Sequence, residues 1–254
     1  MASRSVQHKS SAMTRIYIDS ELAVGEEIEL PSAARRHVVQ VLRLSEGASI
    51  TLFNGRGGEY QGVITSQNRR AVSVILEKFS EIERESPLEI TLVQGISRGE
   101  RMDYTIQKAV ELGVHRIVPF KSLRTGVRLP PDRIERRLEH WRGVIRHACE
   151  QCGRNRVPSL ASIQSLDEIL AAESFSLGAV LNPNGMVDIS QLEPAPGPIL
   201  LVIGPEGGLD DAEIEQLREA GFLNLRLGPR VLRTETAAVT ALSILQANLG
   251  DLGN

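Results

Sequence analysis

The chain predicts an α/β protein with a largely parallel sheet, preceded by a smaller β-rich region. Three observations predict it. After Pro87, short apolar runs alternate with amphipathic stretches, the pattern of strand–helix units. Before residue 80, apolar runs are separated by glycine-rich turns around a single helical stretch. Near the C-terminus, two runs end in glycine-and-proline loops, Gly204-Pro205-Glu206-Gly207-Gly208 and Leu227-Gly228-Pro229-Arg230-Val231-Leu232-Arg233. Such loops expose main chain at the end of a strand, where open α/β sheets bind ligands.

In the N-terminal region, Arg15 to Ile18, Glu26 to Leu30, Ala48 to Phe53, Tyr60 to Thr65 and Ala71 to Leu76 read as strands. Phe53 to Tyr60 holds Asn54-Gly55 and Gly57-Gly58 between aromatic residues and reads as a hairpin turn. Pro31 to Leu42 reads as one helix, with the proline tolerated at its start. The expected organisation is a disordered tail over 1–12, with Met13 a candidate alternative start. A small β-barrel follows over 13–80, then a charged linker over 81–87 and the α/β domain over 88–254.

Beyond the linker, Leu88 to Val93 predicts a strand. Glu100 to Leu112 predicts an amphipathic helix, with Met102, Ile106, Ala109 and Val110 on one face and Gly113 ending it. His115 to Phe120 follows as a strand and Pro131 to Cys149 as a long helix. Phe175 to Leu181, Ile199 to Ile203 and Leu223 to Leu227 predict strands. Asp210 to Ala220, capped by Asp210, and Thr234 to Leu249 predict helices.

Composition narrows the class. The chain has 254 residues, 41% hydrophobic and 24% charged, ordinary for a globular protein with a real core. No apolar stretch approaches the 18 residues of a membrane span, and the first dozen residues lack the apolar segment of a secretory signal. Two cysteines make no disulfide framework and point to a reducing, cytoplasmic setting. Cys149 and Cys152, without a second pair or nearby histidines, are weak evidence for a metal, and none is expected. The net charge of −3 is unevenly spread: −1 up to Ser97, +7 from Arg98 to Arg156, and −9 beyond. The basic block is either a phosphate-binding face or a solvated helix face in which Arg133, Arg136, Arg137, Arg142 and Arg146 pair with Glu135, Glu139 and Glu150.

The two loops match neither common nucleotide fingerprint. There is no Gly-x-x-x-x-Gly-Lys-Ser/Thr, and no Gly-x-Gly-x-x-Gly follows a strand and opens a helix. The loop Gly204 to Gly208 alone reads as a tight strand-to-helix turn with Asp210 as helix cap. Two together, the second leading into the polar string Arg233-Thr234-Glu235-Thr236, point to a ligand clamp.

The segments LLVIGPEGGLDDAEI and LRLGPRVLRTETAAVTAL resemble the SPOUT class of RNA methyltransferases. Within it, SRGERMDYTIQKAVELGVHRIVPF, HACEQCGRNRVP and HVVQVLRLSEGASITLFNGRGGEYQG resemble the ribosomal RNA small subunit methyltransferase E family, over residues 14 to 251. The resemblance implies a PUA-like RNA-binding barrel and a SPOUT domain with a C-terminal trefoil knot. It also implies a homodimer and methylation of N3 of a uridine in 16S rRNA by S-adenosylmethionine. Different readings are a SPOUT enzyme acting elsewhere on RNA, such as a ribose 2′-hydroxyl, and a non-catalytic RNA-binding or ribosome-assembly factor.

By the same resemblance, Leu181, Ile203, Gly204, Glu206, Gly207, Gly208, Leu227, Gly228, Val231, Leu232 and Thr236 hold the cofactor. Arg233 stabilises charge on the base and Glu235 is the candidate proton acceptor. Arg43, Arg98, Arg101, Arg124, Arg128, Arg154 and Arg156 are the expected RNA contacts. Glu206 has two readings, facing the sulfonium or holding structure. His37, His147 and Trp141 read as ordinary polar or core positions. One departure is Ser122-Leu123-Arg124-Thr125, where many relatives carry an acidic residue in place of Leu123.

Overall fold

The computed structural model describes residues 14–68, 70–128, 130–192 and 196–253. The expected tail over 1–12 lies outside the described residues. The chain divides into two compact units, residues 1–84 with 153–156, and residues 85–152 with 157–254.

The first unit is a five-stranded sheet in the order β1-β3-β4-β5-β2, from β1 (Arg15–Tyr17), β2 (Glu27–Glu29), β3 (Ser49–Phe53), β4 (Glu59–Gln67) and β5 (Val72–Ser80). β1 runs parallel to β3; the other pairs are antiparallel. Register shifts at Gln61/Gly62 and Ile64/Ser66 mark bulges, which increase local twist. Alternating residues of the strands, among them Ile50, Leu52, Ile64, Val72, Val74 and Leu76, bury one apolar face with Val38. The helix expected over Pro31 to Leu42 is not uniform. It is a short α1 (Ser32–Arg36) that widens into a π-helical turn over His37–Val41, closed by the Leu42 amide on the His37 carbonyl.

The short segment 153–156 completes this unit. Asn155 is fully buried, accepts from Arg15 at 2.6 Å and donates to the Ile82 carbonyl at 2.5 Å. Arg15 also pairs with the buried Glu59. Residues 153–156 thus fold with the first unit although about 70 residues of the second unit precede them in sequence.

The second unit is a seven-stranded, all-parallel sheet in the order β10-β12-β9-β11-β6-β7-β8. Its strands are β6 (Ile90–Gly95), β7 (Arg116–Phe120), β8 (Ser159–Leu160), β9 (Leu177–Leu181), β10 (Val187–Asp188), β11 (Ile199–Ile203) and β12 (Leu223–Arg226). The central β11 is buried at every position, as a parallel strand covered on both faces must be. The helices are α2 (Glu100–Glu111), α3 (Pro131–Cys152), α4 (Leu166–Ala172), α5 (Asp211–Glu219) and α6 (Thr234–Asn248).

In α2 the predicted face, Met102, Ile106, Ala109 and Val110, is buried. Trp141 of α3 is likewise buried. Part of the outer face of α3 is ion-paired: Arg142 with Glu135 at 2.6 Å and Glu139 at 3.3 Å, and Arg146 with Glu139, while Glu150 is bonded to His147 at 2.9 Å. Both α4 and α5 begin with capping boxes, Ser165 with Glu168 and Asp210 with Glu213. Near the C-terminal end of α6, the fully buried Gln246 accepts from the Ser86 hydroxyl at 2.7 Å and donates to the Leu112 carbonyl at 2.9 Å. That pair of bonds moors α6 to the end of α2 and to the start of the unit.

Candidate active site

The cleft forms at the carboxyl ends of three neighbouring strands, β12, β9 and β11, where an open parallel sheet offers backbone groups to a ligand. It encloses about 660 Å³, within the range for small-molecule and cofactor sites. Leu181 to Asn184 leave β9, Ile203 to Leu209 leave β11, and Leu227 to Glu235 run from β12 into α6; parts of all three line it.

Of the cofactor-contact residues expected from sequence, ten line this cleft: Leu181, Ile203, Gly204, Glu206, Gly207, Gly208, Leu227, Gly228, Val231 and Leu232. Thr236 is exposed and is not among the lining residues, whereas its neighbour Thr234 is. Arg233 and Glu235 stand on the same wall. Sequence reasoning did not assign Asn182, Asp211, Ile214 and Arg230, which also line it.

Two features shape a cradle for a ligand held by main chain. Gly208 and Gly228 both have left-handed φ, +72° and +67°, and a Cβ on either would project into open space. A side chain there would be strained by that φ. Gly95, at the end of β6, lets the loop after β11 come close. A Cβ there would lie 2.3 Å from the Pro205 nitrogen and 2.6 Å from the Gly204 carbonyl carbon. Gly95 has no turn signature, so only the close approach of a loop more than 100 residues away explains it.

Glu206 lines the cleft and is bonded within the protein. Its carboxylate accepts from the Arg98 amide at 2.8 Å and from the Arg101 guanidinium at 3.0 Å. Burial opposes its ionisation, but the Arg98 amide, its own amide and the Arg101 charge outweigh that and hold its carboxyl below the ordinary value. Arg101 also lies 3.8 Å from Glu235. The other carboxylate oxygen of Glu235 is buried without a hydrogen-bond partner among the described residues. Arg233 precedes α6 as its N-cap residue, is exposed, and makes no side-chain capping bond.

The loop carrying Ser122-Leu123-Arg124-Thr125 is tied to the start of α5 by Glu213, a residue sequence reasoning did not single out. The buried Glu213 carboxylate accepts from the Ser122 hydroxyl at 2.9 Å, the Leu123 amide at 2.8 Å and the Asp210 amide at 2.8 Å. Arg124 pairs with Asp210 at 3.1 Å. The Asp210 carboxyl is held below its ordinary value by the Ala212 amide, with Arg124 reinforcing the shift. The capping-box pattern of Asp210 and Glu213 is the one local signal that pointed to this carboxylate.

The expected RNA-contact arginines separate by environment. Arg98, Arg101 and Arg124 are exposed but engaged around the cleft, Arg98 donating to the Gly126 carbonyl at 3.1 Å. Arg154 is a correction to its expected role as a surface cation: it is 3% exposed within the first unit, so its guanidinium is not displayed to a large polyanion. Arg156 is exposed and 3.5 Å from Glu83. Arg43 is exposed, with an unusual left-handed φ of +52°. Arg128 is exposed and, with Arg133 and Arg137, lines a second, smaller depression at the start of α3. Among the described residues no group of His, Cys, Asp or Glu is arranged to hold a metal ion. No described helix is long and apolar enough to cross a membrane.

Comparison with known proteins agrees with this geometry. A family model described as an RNA methyltransferase domain matches residues 84–246, and one described as an RNA methyltransferase PUA domain matches residues 30–77. Ribosomal RNA small subunit methyltransferase E of Buchnera aphidicola is 33% identical, covering 94% of this chain and 97% of its own. That of Bacillus subtilis is 33% identical, covering 87% of each. A methyltransferase from Legionella pneumophila, solved with bound S-adenosylmethionine, superposes with a TM-score of 0.92 at 42% identity, covering 94% of this chain and 99% of its own. Ribosomal RNA small subunit methyltransferase E from Neisseria gonorrhoeae, bound to the same cofactor, gives a TM-score of 0.88 at 37% identity with the same coverage. A parallel sheet with a glycine-loop cleft at its carboxyl edge, a PUA domain before it, and relatives aligned over nearly the whole length place this chain in the ribosomal RNA small subunit methyltransferase E family.

Proposed function

We propose that this protein transfers the methyl group of S-adenosylmethionine to N3 of a uridine in 16S rRNA of the small ribosomal subunit. The observation that carries the reading is the convergence of two glycine loops and Leu181 on one cleft, with Arg233 and Glu235 on its wall. The open space at Gly208 and Gly228 fits a cofactor gripped by backbone. The trefoil knot implied by the family accounts for three distant segments being held together at that point.

S-adenosylmethionine, when bound, supplies an electrophilic methyl group on a sulfonium. The rest falls to the chain. Gly204 to Gly208 and Leu227 to Leu232 grip and orient the cofactor through main-chain groups. Uracil N3 is an imide nitrogen and must lose its proton to become a good nucleophile. Arg233, uncommitted to helix capping, offers its guanidinium to the negative charge that develops on the base oxygens. Glu235, with one carboxylate oxygen lacking a partner among the described residues, is positioned to accept the proton.

On this reading RNA is contacted by the exposed Arg43 and Arg156 on the first unit, and on the second by the exposed Arg128 with Arg133 and Arg137 beside it. The PUA match of the first unit supports an RNA substrate. The protein works as a homodimer in the cytoplasm. Membership of the family supports the dimer. A content of two cysteines in 254 residues, too few for a disulfide framework, supports the compartment.

The test is incubation of the purified protein with methyl-labelled S-adenosylmethionine and undermethylated small subunits, followed by mapping of the modified nucleotide. Label at N3 of one 16S uridine supports the proposal. Label on a ribose or another base reassigns the target, and RNA binding without label assigns a non-catalytic role.

A further inference from the structure

Thr234 is buried at the first position of α6, between the two residues given chemical roles. Its hydroxyl is 2.6 Å from the Gly204 carbonyl, the first residue of the loop after β11. The same hydroxyl is 2.9 Å from the Gln94 side-chain amide at the end of β6. Gln94 is fully buried and lies opposite Ile203 in the parallel β6–β11 pair.

Proton counting fixes the direction of every bond. The Gly204 carbonyl can only accept, so the single Thr234 hydroxyl proton goes to it. Thr234 must then accept from Gln94, which therefore presents its NH₂ group. The second amide proton of that NH₂ goes to the Gly95 carbonyl at 3.1 Å. Both protons are used, and the Gln94 carbonyl oxygen is left buried without a hydrogen-bond partner among the described residues. A buried orphan acceptor is a standing cost that an apolar residue of the same volume would avoid. Glutamate could not substitute, because an ionised carboxylate has no proton for either Thr234 or Gly95.

We propose that Gln94 and Thr234 are positioning residues: their relay locks the first turn of α6 to the Gly204 end of the cofactor loop. Arg233 and Glu235 flank Thr234 in sequence, so the relay sets where both stand relative to the bound methyl donor. The inference rests on the methyltransferase reading above. It extends that reading to a side-chain coupling between the loop after β11 and the start of α6.

Four variants test it: Thr234→Val, which keeps the shape without the hydroxyl, Thr234→Ser, which keeps the hydroxyl, Gln94→Met, and the Gln94→Met/Thr234→Val double variant. Each is measured for S-adenosylmethionine affinity by calorimetry, for kcat at saturating cofactor, and for melting temperature. Thr234→Val is expected to weaken cofactor binding and lower kcat, each by about tenfold, the worth of one buried hydrogen bond. Thr234→Ser stays within about threefold of wild type, and the double variant is no worse than Thr234→Val alone, since both break one relay.

A purely stabilising role would lower the melting temperature while leaving affinity and kcat unchanged. That result overturns the proposal, as do additive losses in the double variant or a Thr234→Ser variant as impaired as Thr234→Val. If Thr234→Val and Gln94→Met both fail to fold, the relay belongs to stability and the proposal also falls. Wild-type protein that does not bind S-adenosylmethionine refutes the methyltransferase reading itself, before any variant is compared.

Discussion

The Arg101 guanidinium stands 3.0 Å from the Glu206 carboxylate, joining α2 to the loop after β11. With Glu235 at 3.8 Å, Arg101 spans two of the three carboxylates that line the cleft. Its guanidinium is therefore engaged within the cleft. Arg101→Ala is expected to weaken S-adenosylmethionine binding by about three- to tenfold, as for a partly exposed ion pair with hydrogen bonding. Arg101→Lys should recover only part of this, because an ammonium lacks the planar fork. Calorimetry with the cofactor and filter binding with RNA at several salt concentrations separate the two roles. A change confined to the RNA salt slope would assign Arg101 to phosphate contact.

The lowered carboxyl of Glu206 makes a pH prediction. A carboxyl whose folded pKa lies below its unfolded value contributes stability above the unfolded value, and loses it as pH falls through the folded one. The ordinary value is 4.5 and the folded value is lower. Wild type should therefore exceed Glu206→Gln in stability by about 1 kcal/mol, constant from pH 7 to about pH 5. The difference should shrink below pH 4.5. Urea titrations across that range read it, and a difference that grows toward acid pH would show the carboxylate to be unfavourable where it sits.

Arg233 is exposed on the cleft wall and holds no capping bond, so its removal should leave the fold intact. Arg233→Ala is expected to lower kcat by about 10²–10³, the range for losing a donor to a developing oxyanion, with cofactor affinity nearly unchanged. Single-turnover methylation paired with calorimetry checks it. Equal losses in affinity and rate would assign Arg233 to binding.

Glu213 makes a stability prediction. Its alanine variant would strip the Ser122 hydroxyl and the Leu123 and Asp210 amides of their shared acceptor. The expected loss is about 3 kcal/mol, because buried donors left unsatisfied cost more than the net worth of a bond. Denaturant unfolding measures it, and limited proteolysis should cut first within residues 121–126. An unchanged midpoint would mean that water replaces the carboxylate without penalty.

Much of the fold was legible because its strands are apolar runs punctuated by glycine and proline. Ile199 to Ile203 is the clearest case, predicted and observed with the same bounds. The main-chain cradle was legible for the same reason. Residues whose roles depend on distant partners were not. Gln94 and Thr234 are 140 residues apart, and Glu213 and Ser122 are 91 apart, so no local pattern joins them. Arginine abundance between Arg98 and Arg156 did not reveal that Arg154 would be buried or that Arg101 would be taken up by two carboxylates. The helix α4 went unpredicted although Ser165 and Glu168 carry the spacing of a capping box. Its seven residues are too few to show a helical period.

The grip of two glycine loops on a methyl donor is tested most directly by calorimetric titration of the protein with S-adenosylmethionine, beside Gly228→Val as control. Saturable binding is expected, one molecule per chain, with a dissociation constant between about 1 μM and 1 mM. It should be lost in the variant, whose side chain would be strained at a left-handed φ and would enter the space beside the loop. No heat of binding in wild type, or equal affinity in the variant, would contradict the account.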